Sequence, residues 1–151
     1  MRAVQASITV PGTTSRALNA FLDADDLRAW WGVERALVEP REGGLYVLTW
    51  GVTPQGFQYV TAGIIGRYQV GQSLRIDHLT YLNSARPILG PMSLTVHARA
   101  GEGEAHLEVT QDGYGDGVDW NWYYDAVRTA WPVALGGLQT YLTGRATPGG
   151  Q

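Results

Sequence analysis

From about residue 117 the apolar residues change their period, and this constrains the fold more than any other feature of the chain. At about 100° per residue, Trp120, Tyr123, Tyr124, Val127, Trp131, Ala134, Leu135, Leu138, Tyr141 and Leu142 fall within roughly a third of a circle. Asn121, Asp125, Arg128, Thr129, Gly136 and Gln139 fall outside it. The pattern predicts a long amphipathic helix ending near Thr143-Gly144, with residues 145–151 as a loose tail. Pro132 lies inside it and removes the donor to the Arg128 carbonyl, so a kink is expected, with Pro132 on the solvent side. The run WNWYY at 120–124 divides under this phase. Trp120 and Tyr124 sit near the centre of the apolar face and Tyr123 at its edge. Trp122 points to the opposite side with Thr129 and Val133.

Most of what precedes this helix alternates. Val4, Ala6, Ile8 and Val10 predict a half-buried strand over 3–10, stopped by Pro11-Gly12. Thr13 or Thr14 can cap a helix over 15–22, with Ala17, Leu18 and Phe21 on one face. Asp23 can cap a second short helix carrying Leu27, Trp30 and Trp31, which Gly32 ends. Residues 35–39 lead through Gly43-Gly44, a hairpin signal, into a strand where Tyr46, Leu48 and Trp50 share a face. Residues 58–69 form another strand, and the adjacent Ile64-Ile65 suggest a bulge there. Over 73–79, Leu74, Ile76 and His78 share a face. Met92, Leu94, Val96 and Ala98 alternate, as do Ala105, Leu107 and Val109. Pairing Ala98 with Ala105 sets apolar opposite apolar, with Gly101-Glu102 as the turn and His97 facing His106 on the outer side.

Composition removes several function classes. The 151 residues suit one domain, read as 1–144 plus the tail. Without cysteine there are no disulfides, thiolate metal sites or Cys nucleophiles. All eleven basic residues are scattered Arg at a net charge of −3, so no basic patch for nucleic acid is expected. No apolar run approaches the roughly 20 residues of a membrane span, and the N-terminus is too short and polar for a signal peptide. A cytoplasmic protein is expected.

The order (strand, two short helices, about six to seven strands, long helix) predicts an α+β helix-grip fold, a curved antiparallel sheet wrapped around the C-terminal helix. DADDLRAWWG at 23–32, EPREGGLY at 39–46, and VTQDGYGDG continuing through WNWYYDAVRTAWPVALGGLQTYL carry a resemblance over nearly the whole chain. They resemble START-like proteins of the birch-pollen-allergen fold (SRPBCC), in the branch of homologues of the activator of the ninety-kilodalton heat-shock chaperone ATPase. The resemblance implies a space between helix and sheet that often stays open. The family spans carriers of apolar small molecules, antibiotic self-resistance proteins, polyketide cyclases and chaperone-activator domains, with no shared catalytic signature. His78 stands where relatives often carry a large aromatic, and Gln111 where many carry a His. The second departure counts against His-dependent chemistry at that position.

Trp30, Trp31, Tyr46, Trp50, His78, Tyr124 and Trp131 are the expected lining of a cavity for an apolar, aromatic or polyketide-like ligand. Each ring is also a core residue in waiting: an aromatic buries about 150–250 Å², worth roughly 4–6 kcal/mol gross. His78, read as inward, is either a pocket base or a satisfied core histidine. An alternative to binding is therefore a cyclase- or hydrolase-like enzyme with His78 as base. A third reading is a chaperone-ATPase-modulating interaction domain. His97 and His106 lack a nearby third ligand, so no metal site is expected. No cofactor motif is present. The sequence leaves a homodimer open, an exposed apolar patch on the outer sheet being what would favour one.

Overall fold

The computed structural model describes residues 2–54 and 56–146. Seven strands form one antiparallel sheet: β1 (Ala3–Pro11), β2 (Arg35–Val38), β3 (Leu45–Thr53), β4 (Gly56–Gln69), β5 (Ser73–Leu82), β6 (Leu89–Ala100) and β7 (Glu104–Asp112). Their order across the sheet is β1-β7-β6-β5-β4-β3-β2. The helices α1 (Thr14–Asn19) and α2 (Ala24–Trp31) follow β1, and α3 (Val118–Ala146) closes the chain. This is the α+β helix-grip arrangement that the pattern of periods predicts.

The caps explain where the short helices begin and end. Thr13 accepts a hydrogen bond from the Arg16 amide at 3.0 Å, and Asp23 accepts one from the Asp26 amide at 3.0 Å. These side chains satisfy amides that the first helical turn leaves orphaned. Gly32 ends α2 in the left-handed region at φ 71°. Behind these caps, Asp26 is buried and ties three helices together. It accepts two hydrogen bonds from Arg16, at 2.7 and 2.9 Å, and one from the Tyr141 hydroxyl at 2.5 Å.

The long helix α3 continues two residues past the expected end, through Ala146. The remaining tail, residues 147–151, lies outside the described residues. Pro132 is exposed, on the side expected for it. On the inner face Tyr123, Trp131, Leu135, Leu138 and Leu142 are buried. The helix packs along β1 and against α2, and these residues join Val4, Val10, Leu107 and Val109 in one core. The phase within WNWYY differs from expectation. Tyr123 is the buried residue of the five, while Trp120 and Tyr124 are only partly buried.

Two strand registers correct the sequence reading. Ala100, not Ala98, pairs with Ala105, and Ala98 faces Leu107. The turn is therefore Glu102-Gly103, with Gly103 at φ 71°, and Gly101 bonds to the Glu104 carbonyl at 2.8 Å. The two-residue shift keeps apolar opposite apolar, so alternation alone could not distinguish the registers. It puts Glu108 opposite His97 and Arg99 opposite His106. His106 instead shares a hydrogen bond with Thr9 of β1 at 2.8 Å.

The second correction lies in β5. Ile76 pairs with Leu94 and Leu79 with Met92, so three steps on β5 match two on β6. Across the other edge, Asp77 pairs with Ile64 and Thr80 with Ala62, again three steps against two. An extra residue in one strand is a β-bulge, which re-phases everything after it. His78 sits in the bulge at φ 55° and is exposed. The expected inward strand face of Leu74, Ile76 and His78 is thus Leu74, Ile76, Leu79 and Tyr81. The bulge expected near Ile64-Ile65 is present at Gly66, where two steps on β4, from Ile65 to Arg67, match one on β5, from Ile76 to Arg75.

Candidate functional site

Because α3 lies along the β1 side of the sheet, the β3–β5 side keeps space above it. An open cavity of about 1090 Å³ occupies that space. Its floor comes from Trp50, Tyr59, Thr61, Leu79 and Tyr81 on β3 to β5, with Leu94 and Gln111 beyond. One wall is α2, through Trp30, Trp31 and Gly32; the other is α3, from Trp122 to Gly137. Its volume lies just above the about 300–1,000 Å³ typical of small-molecule sites, which are mostly apolar with a few placed polar groups.

An unbroken chain of rings lines this space. Trp30 stacks on Trp31 at 5.0 Å between centroids, and Trp31 meets Trp50 edge-on at 5.5 Å and Trp131 at 5.1 Å. Trp50 stacks on Tyr59 at 5.2 Å, Tyr59 approaches Tyr81 at 5.9 Å, and Tyr81 meets Tyr123 at 4.6 Å. Antiparallel pairing explains the first of these strand contacts. Trp50 and Tyr59 are direct cross-strand partners and so share a face. One indole of α2 and that of β3 are anchored by backbone carbonyls: Trp30 donates to Ala20 at 2.8 Å and Trp50 to Trp31 at 3.2 Å.

Gln111 is the buried polar group of the site. Its amide oxygen accepts from the Trp131 indole at 3.0 Å, and its amide nitrogen donates to the Tyr123 hydroxyl at 3.2 Å. One side chain on β7 thereby sets two rings of α3. Burial raises the Tyr123 phenol to about 12, with the Gln111 hydrogen bond opposing and Tyr81 adding to the rise. Tyr123 is therefore a neutral phenol at ordinary pH. Burial, followed by the neighbouring Tyr81, also raises Tyr59. Asp125 is the one charged side chain among the described lining residues, and it is exposed at the mouth.

Of the seven expected lining residues, Trp30, Trp31, Trp50 and Trp131 border this cavity. Tyr46 does not; it is fully buried against the turn between α1 and α2, donating to the Phe21 carbonyl at 2.7 Å. Tyr124 lies on the other flank of α3, edge-on to Tyr114 at 5.2 Å and under the Arg2 guanidinium at 4.8 Å. His78 faces outward, because the bulge turns it away from the cavity. A catalytic base at His78 acting on a ligand in this space is thereby overturned. His97 and His106 line a shallow outer groove with Arg99 and Glu108. No group among the described residues could hold a metal ion.

Sequence reasoning missed Tyr59, Tyr81, Gln111, Trp122 and Tyr123. A signal for Tyr81 existed: Leu74 and Ile76 are out of step with Leu79 and Tyr81 by one residue, as a bulge requires. Trp122, left without a partner by the helical phase, meets Tyr81 at 6.2 Å. The Arg86 guanidinium covers it at 3.9 Å while pairing with Asp119 at 3.2 Å.

The fold and this cavity define a helix-grip protein with a small-molecule-sized space under its long helix. The model of the family described as activator of Hsp90 ATPase homolog 1-like protein matches residues 13–143, and the chain belongs to that family. Solved structures share the fold at low identity. Protein MLL2253 from Mesorhizobium loti is 15% identical, with a TM-score of 0.72 over 97% of this chain and 99% of that one. The Aha1 dimer from Colwellia psychrerythraea is 13% identical, with a TM-score of 0.71 over 94% of this chain and 96% of that one. DynU16, a protein of the dynemicin biosynthetic locus, is 14% identical, with a TM-score of 0.72 over 93% of this chain and 47% of that longer chain. No curated protein matches the chain significantly in sequence. No helix among the described residues is long and apolar enough to cross a membrane.

Proposed function

We propose that this protein binds an apolar, ring-containing small molecule in the cavity between α3 and the β3–β5 side of the sheet, in the cytoplasm. The observation that carries the reading is the unbroken ring belt from Trp30 to Tyr123 around an open space of about 1090 Å³. Stacked and edge-on rings offer faces and edges to a flat ligand at little entropic cost, since each aromatic has few rotatable bonds. A neighbour of the same fold from the dynemicin biosynthetic locus is in keeping with a small-molecule ligand. The enzyme reading loses its candidate base with His78 outside the cavity. A neighbour that is a dimer makes pairing of this chain worth measuring by light scattering at two concentrations.

The test is a thermal-shift screen against polycyclic aromatic and polyketide-like compounds. A ligand at a hundredfold excess over Kd stabilises the native state by about 2.7 kcal/mol. A hit should lose its shift when Trp31 or Tyr59 is replaced by Ala, and keep it when Tyr124 is. A hit that depends on Tyr124 and ignores Trp31 and Tyr59 would place binding elsewhere.

A further inference from the structure

Two tyrosines that border the cavity have their hydroxyls held in one fixed sense by neighbouring amides. The Trp131 indole nitrogen can only donate, so the group it meets at 3.0 Å must be the Gln111 oxygen. The Gln111 nitrogen then faces the Tyr123 hydroxyl at 3.2 Å and donates to it. The same logic holds at the end of β5, in the turn that follows it. The Ala85 amide can only donate, and it meets the Asn83 oxygen at 2.9 Å. The Asn83 nitrogen therefore donates to the Tyr81 hydroxyl at 3.0 Å. In both tyrosines the oxygen is an acceptor and the hydroxyl hydrogen remains to be given away. No hydrogen bond among the described residues uses either hydrogen. The two rings lie 4.6 Å apart between centroids, and both border the cavity.

We infer that Tyr81 and Tyr123 form a paired-donor subsite, and that the ligand is a conjugated carbonyl compound, such as a quinone or aryl ketone, whose oxygen accepts from them. This rests on the proposed cavity function and narrows it. A ligand whose polar groups are only donors would leave both hydroxyl hydrogens without an acceptor, since each tyrosine oxygen is already met by an amide N–H from behind. A cationic ligand would meet the Asp125 carboxylate only at the mouth. The Tyr123 phenol keeps its proton at ordinary pH, because burial raises it to about 12. The chain contains no Cys or Lys, so a quinone can be used as a probe without thiol or lysine adducts.

The experiment compares menadione with methylnaphthalene, the same ring system without the two carbonyls, in titrations followed by tryptophan fluorescence. Tyr123→Phe and Tyr81→Phe each keep the ring and delete the donor. Each should weaken menadione binding by about tenfold, the worth of one hydrogen bond, and leave methylnaphthalene within about twofold. Tyr81→Phe is the safer arm for folding, because Asn83 is only partly buried and can turn to water. Thermal melts of both variants check the fold. Variants that weaken both probes alike, or that leave menadione binding unchanged, overturn the paired-donor subsite while the cavity function stands. If the wild-type protein binds neither probe, the subsite and the cavity reading fall together.

Discussion

The two sides of one sheet have met different fates. On the β1–β7–β6 side, α3 and α1 press directly onto the strands, and Val10, Leu107, Val109 and Leu138 are almost wholly buried. On the β3–β5 side, Trp50, Tyr59 and Thr61 point to the same interior yet remain partly exposed above an open cavity. The strands of both sides alternate, so alternation is not what separates them. Residue size and the path of α3 do. Small and branched side chains let the helix approach one side, while large rings on α2, β3 and β4 hold space on the other. A core side chain pays for its cavity when truncated, whereas a half-exposed ring at an open space leaves none behind.

The comparison is sharpest in stability. Leu138→Ala, on the covered side, should cost about 2–5 kcal/mol in urea unfolding, and Tyr59→Ala well under half of that. Equal losses would mean that the cavity side is as tightly packed as the other. The same Tyr59→Ala should abolish or strongly weaken ligand shifts that Leu138→Ala spares in the still-folded fraction.

Asp26 holds the covered side from behind, and its removal should come next in size. Burial alone would raise its carboxyl, but the hydrogen bonds from Arg16 and Tyr141 and the Arg16 charge outweigh burial, so its pKa lies below the usual value. A carboxyl that is more acidic in the folded state stabilises above its unfolded pKa of about 3.9 and loses that contribution as pH falls through the lower folded value. Asp26→Asn should therefore lower stability at pH 7 by about 1–3 kcal/mol. It should also flatten the fall in stability below about pH 4, measured as the urea midpoint against pH. An unchanged acid limb would remove Asp26 from the account.

Gln111 stands at the seam between the two sides. Gln111→Leu leaves the Trp131 and Tyr123 polar tips without their partner and should cost about 1–2 kcal/mol. Its indole and phenol signals should broaden in NMR spectra while those of Tyr46 stay sharp. The smallest effect belongs to the outer bulge. His78→Gly removes a side chain from the left-handed region and should be neutral or stabilising by up to about 1 kcal/mol, with ligand binding unchanged. A loss of binding in that variant would return His78 to the site.

The element order, both caps of the short helices, the turn to helical period from about 117 and the four tryptophans of the cavity were legible in the sequence, because each is written in local spacing. Tyr46 and Tyr124 were misplaced for a different reason. Tyr46 points inward as expected, but whether an inward ring meets packed chain or a void depends on where α3 crosses the sheet, and Tyr124 was lost because α3 turns Tyr123 inward and sets Tyr124 against Tyr114. His78 and Tyr81 exchanged places because a bulge adds one residue, and period-two reasoning carries no memory of such an addition. Alternation after Leu107 and Val109 puts Gln111 on the inward face, but its role arises from Trp131 and Tyr123 arriving from a helix that follows it in the chain. What the sequence determined by itself is the set of elements and the supply of aromatic surface. What the tertiary structure alone decided is which rings are packed and which face a cavity, since that is settled by the docking of one helix across strands distant from it in sequence.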